Sequence, residues 1–126
     1  MKKSLLILFV GIIALSAQAQ QPEFDKLEML FAQKNYKTVF RKSKQLLDNP
    51  SFDYSMLPTY YKSMSMLQLA QNDLWLKRHP ESINEALDLF LKVKKSPNGE
   101  KIFNAHMYEL SWLLSDIMSW ASDLQR

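Results

Sequence analysis

After Gly11 the chain contains one more glycine, Gly99. A backbone with so little access to positive φ is poorly suited to the tight turns of an antiparallel sheet, and alternating β-branched runs are few. Apolar residues recur instead at intervals of three and four, the period of a helix with one buried face. The fold class expected is therefore all-α. The five prolines, Pro22, Pro50, Pro58, Pro80 and Pro97, fall where helices begin or end.

The spacing predicts about five helices. One covers 22–33, with Phe24, Leu27, Leu30 and Phe31 as its stripe and Glu23 and Asp25 at its N-terminal end. A second covers 36–48, with Tyr36, Val39, Phe40, Ser43, Leu46 and Leu47 on one side. A third covers 54–71, carrying Tyr61, Met64 and Leu67 inward. The stretch "QNDLWLKRHPES" reads as a connector with one helical turn around Leu74–Lys77. A fourth helix runs from about Pro80 to Lys95 on Ile83, Ala86, Leu87, Phe90 and Val93, and "SPNG" stops it. The fifth runs from about Glu100 to near the end.

Ahead of these lies "MKKSLLILFVGIIALSAQAQ". Lys2 and Lys3 precede an apolar run from Leu5 to Leu15, and Ala17-Gln18-Ala19 supplies the small residues a signal peptidase reads. The run is short for a membrane span. Residues 1–19 are thus expected to be a cleaved secretory signal and 20–126 one small helical domain. The protein is expected to be exported, periplasmic or extracellular, with no stable membrane insertion after cleavage. There is no cysteine, which excludes both lipid attachment at a lipobox and disulfides, so packing alone must hold the domain. The 16 Lys and Arg, less Lys2 and Lys3, leave 14 against 13 acidic residues. A near-neutral mature chain gives no support to nucleic-acid binding.

The segments "NYKTVFRKSKQLLDNP" and "SINEALDLFLKVKKSP" superpose without gaps. Val39 falls on Ala86, Phe40 on Leu87, Leu46 on Val93 and Pro50 on Pro97. Short connections between most neighbouring helices complete the pattern of stacked helical hairpins. Over residues 22–97 the chain resembles the tetratricopeptide repeat, through Tyr36, Val39 and Pro50 in one unit and Ala86, Val93 and Pro97 in the next. Lys34 stands where that family has its turn glycine. The resemblance implies paired helices whose first members line a groove for a peptide or protein segment. It also implies that the 36–48 helix lies mostly on the convex side.

Phe103, Met107, Leu110, Leu114, Ile117, Ala121 and Leu124 step by four and three in a sustained heptad seam. The seam has two readings: a long C-terminal helix that caps the stack over the 80–95 helix, or a homodimer contact. Tyr108 and Trp112 lie on the other side of that helix and suggest a further contact: a partner, the "LWLKRHP" connector folding back, or a neighbour in a longer chain.

Catalytic signals are absent. There is no glycine-flanked nucleophile, no phosphate loop and no clustered metal-ligand motif, so no cofactor or metal is expected. His106 and Glu109 read as a surface pair on a helix. The functional expectation is an envelope protein–protein interaction or scaffolding module that is not an enzyme. Its groove would be lined by Tyr60, Tyr61, Met64 and Gln68, with Glu28 and Met29 on the first helix, and Tyr108 and Trp112 form a second contact. The alternative is an accessory N-terminal module of a longer cell-wall peptidase or hydrolase, since the leader-plus-helices layout also resembles regions that precede such domains. Lys37, Arg41 and Lys44 form a basic strip on one flank of their helix, read as a solvated face rather than a site for an acidic ligand.

Overall fold

The computed structural model describes residues 22–125, and the signal segment expected at 1–19 lies outside the described residues. Among them the protein is all-helical, with seven α-helices and no strand. These are α1 (Pro22–Ala32), α2 (Tyr36–Leu47), α3 (Leu57–Leu69), α4 (Asp73–Arg78), α5 (Ser82–Lys95), α6 (Gly99–Ala105) and α7 (Met107–Leu124). A single 3-10 turn, Pro50–Phe52, sits between α2 and α3.

α1 buries Phe24, Leu27, Leu30 and Phe31, the stripe its spacing predicts. It ends in a Schellman closure: the Asn35 amide donates to the Leu30 carbonyl at 3.0 Å and the Lys34 amide to that of Phe31 at 3.0 Å. Lys34 takes φ 62° to make this turn, a left-handed conformation that costs an L-residue about 1–2 kcal/mol. The chain then reverses into α2.

α3 is the centre of the molecule, flanked by α1, α2, α5 and α7. It is buried nearly all round, from Pro58 through Tyr60, Tyr61, Ser63, Met64 and Met66 to Leu69. A helix enclosed this way needs no polar face, which is why its sequence shows only a weak stripe. Its serines are satisfied internally. Ser65 Oγ donates to the Lys62 carbonyl at 3.0 Å. Ser63 Oγ donates to the Ala86 carbonyl at 2.8 Å, so that α3 and α5 touch through small side chains.

α2 and α5 pack against α3, α2 through Val39 and α5 through Ala86 and Val93 among others. Val39 and Ala86 are positions that coincide when the two segments are superposed. The connector carries a helix of its own, α4, capped by the Asn72 side chain, which accepts from the Trp75 amide at 3.1 Å. Trp75 folds back edge-on to Phe40 of α2, ring centres 5.2 Å apart.

The expected long C-terminal helix is broken at His106, whose φ −120° and ψ 27° end α6 and begin α7. Gly99, the first residue of α6, lies against the Val93 carbonyl, where a Cβ would collide with the backbone of α5. α6 remains on α5, with Phe103 stacked on Phe90 at 4.9 Å, whereas α7 turns away and lies on α3.

Candidate functional site

The surface made by α1 and α3 is covered by α7. Tyr60 meets Glu109 and Gln68 meets Asp116, so the two helices run in the same direction. Gln68 Nε2 donates to Asp116 Oδ2 at 3.0 Å. Tyr108 reaches across to α1 and donates its hydroxyl to Glu28 Oε1 at 2.7 Å. Between these polar contacts Leu113 enters the core with Leu27, Phe31, Tyr61 and Met64, and Leu110 and Ile117 pack against it.

The expectation of an open groove is thereby corrected for four residues. Tyr60 and Tyr61 are each 1% exposed, Met64 is fully enclosed and Gln68 is buried. They carry α7 rather than facing solvent. Met29 remains exposed on α1. The seam is corrected as well. Leu110 and Ile117 face the body, but Met107, Leu114 and Leu124 are exposed, because α7 is rotated to turn His106, Glu109 and Leu113 inward.

Polar chemistry sets that rotation. Glu109 has no exposed surface, and its carboxylate accepts two hydrogen bonds and lies beside an imidazole nitrogen. Tyr60 Oη donates to Oε1 at 3.2 Å, Tyr61 Oη donates to Oε2 at 3.0 Å, and His106 Nδ1 lies 2.9 Å from Oε1. Removing a carboxylate from water is tolerable only with such partners. Burial, and next the Glu109 charge, push both tyrosine hydroxyls far above the ordinary phenol range. Both therefore stay protonated as donors. Burial followed by the bond to Glu28 raises Tyr108 in the same sense.

His106 and Glu109, expected as a surface pair, thus form the polar centre of the α3–α7 junction. A sequence signal for this existed. Glu109, Asp116 and Asp123 recur every seven residues on a helix with no basic side chain, opposite a Tyr-Tyr pair whose hydroxyls need acceptors once buried.

The connector does not reach Tyr108 and Trp112, since α4 lies on α2. These two aromatics pack edge-to-face at 5.2 Å and remain about half exposed. Trp112 lines a small cleft with Ala32, Lys34, Tyr36 and Asp116. Lys37, Arg41 and Lys44 are exposed on α2 and form no ion pair among the described residues. Lys42, behind them, is pushed below the usual ammonium range by Lys26 on α1. No cluster of three metal-ligating side chains occurs among the described residues, and no described helix is long and apolar enough to cross a membrane. No known family, curated protein or solved structure matches the chain.

Proposed function

We propose that the chain is an exported cell-envelope module that binds a protein partner through tetratricopeptide-like helical hairpins and has no chemistry of its own. The observation that carries this reading is the outer side of α7. Leu114 and Met118 are exposed at 60% and 63%, with Tyr108 and Trp112 on the same helix. The two acids of this stretch, Glu109 and Asp116, are both engaged by α3. Leu114 and Met118 share their surface with Ser111, Ser115, Ser119 and Ser122 and a single charge, Asp123, so two apolar anchors stand among small side chains, which suits the apolar face of a partner helix. The strip Lys37, Arg41 and Lys44 serves in this reading as a solvated rim.

The test uses residues 20–126 as bait in envelope extracts, beside a bait carrying Leu114→Asp and Met118→Asp. A partner recovered by the first and lost from the second, with binding reproduced from purified components, supports the reading. Equal recovery by both baits, or turnover of a peptidoglycan substrate by the chain alone, refutes it.

A second reading is favoured by one observation. Gln68 stands level with Asp116, so about two turns of α7 run on past the end of α3, with Met118 and Leu124 uncovered. In this reading the helices are the N-terminal accessory module of a longer cell-wall peptidase or hydrolase, and the uncovered turns pack on its catalytic domain. The reading frame after Arg126 decides. A frame that continues into a hydrolase domain supports it, and a stop codon there removes it.

A further inference from the structure

His106 uses one ring nitrogen in the junction with α3. Nδ1 faces Glu109 at 2.9 Å and the Tyr61 hydroxyl at 3.4 Å. Nε2 has no hydrogen-bond partner among the described residues, and it is not sealed from solvent, since the one enclosed side-chain nitrogen without a partner is Trp75 Nε1. A histidine needed only to hold α7 in place would be served by Nδ1 alone. His106 also lines a cleft of about 600 Å³ between the 53–57 segment and the Ser96–Asn98 turn with α6. That volume is in the range of small-ligand sites.

The two walls differ in charge. Asp53 lines one and Lys101 the other, and they form no ion pair with each other. The surface between them is mostly apolar, supplied by Leu57 and Ile102 among others, with His106 at the back. The walls are positioned by local structure. Ser55 Oγ accepts from the Leu57 amide at 3.1 Å and opens α3, while Gly99 allows α6 to start tight against α5.

We propose that this cleft is a binding site for a short zwitterionic peptide with an apolar side chain. Lys101 takes the peptide carboxylate and Asp53 its ammonium group. The apolar surface takes the side chain. His106 takes a hydrogen bond with the peptide backbone through Nε2. This site is separate from the outer face of α7, and its failure would leave the partner-binding proposal standing.

The chain has two histidines, so histidine-labelled protein gives two side-chain signals, with His79 as an internal control. Residues 20–126, which contain the whole described body, would be titrated with the dipeptide Ala-Leu and with its doubly capped form, N-acetyl-Ala-Leu-amide. The expected result is a saturable shift at His106 with Ala-Leu, none at His79, and none with the capped peptide. Lys101→Met and Asp53→Asn, both at exposed positions, should each weaken binding at least about tenfold while leaving the His106 signal of the free protein in place. Three outcomes overturn the proposal: no shift at His106 up to about 10 mM, where a Kd of about 1 mM would be near saturation; equal binding of the capped peptide; or unchanged affinity in both variants.

Discussion

Glu109 is the residue on which the packing of α7 turns, because two phenol donors and an imidazole converge on a carboxylate with no exposed surface. Glu109→Ala leaves two buried tyrosine hydroxyls without an acceptor and the imidazole without its carboxylate neighbour, and should destabilise the fold by about 3–5 kcal/mol in urea denaturation. Glu109→Gln keeps an acceptor oxygen and should cost less, on the order of 2 kcal/mol. Lys34 offers the opposite case. Its φ of 62° suits glycine, so Lys34→Gly should raise stability by about 1 kcal/mol, read as a higher urea midpoint at unchanged slope. Tyr60 and Tyr61 give a pH dependence. The unfolded chain releases its phenol protons near pH 10, while folded Tyr60 and Tyr61 hold theirs well above that. Their stabilisation is complete below pH 10 and falls as pH rises beyond it, by about 1.4 kcal/mol per pH unit for each tyrosine. Urea midpoints collected from pH 8 to 12 should decline more steeply in wild type than in a Tyr60→Phe, Tyr61→Phe double variant.

Helix placement follows the 3.6 period where one side meets solvent. α1, α2 and α5 lie within one or two residues of the ranges their spacing predicts, because one apolar side and one polar side leave little choice of rotation. α3 lies inside the expected 54–71, starting three residues later and ending two earlier, but its surroundings were illegible: buried nearly all round, it carries no polar face to mark which side α7 would cover. The break at His106 was hidden for another reason. Neither proline nor glycine stands at Asn104, Ala105 or Met107, and the heptad seam runs straight through, so local signals favour one continuous helix. The break answers a tertiary demand, since only a turned α7 brings Glu109 to both tyrosines. A paired substitution distinguishes the two sides of α7. Leu110→Asp with Ile117→Asp places charges against the core and should abolish the folded monomer in size-exclusion and circular-dichroism measurements, at on the order of 3 kcal/mol for each. Leu114→Asp on the exposed side should shift stability by no more than about 0.5 kcal/mol.

At the scale of the molecule, α1, α2, α3 and α5 form the stacked hairpins, and α7 lies along the face that α1 and α3 share. The stack was readable because α2 and α5 carry an inward stripe at the same spacing against one central helix. The groove residues were named by position, but their cover was not foreseen, because the contacts that seat α7 join residues 48 and 49 apart in sequence. That separation also bears on the order of assembly. Until synthesis passes Glu109, the hydroxyls of Tyr60 and Tyr61 have no buried acceptor, and a nascent chain can have α1 through α5 in place with its central helix still wet on one side. Docking of α7 is then the late, loop-closing step, and substitutions at Glu109 should speed unfolding while leaving the folding rate nearly unchanged, a low φ-value in stopped-flow kinetics.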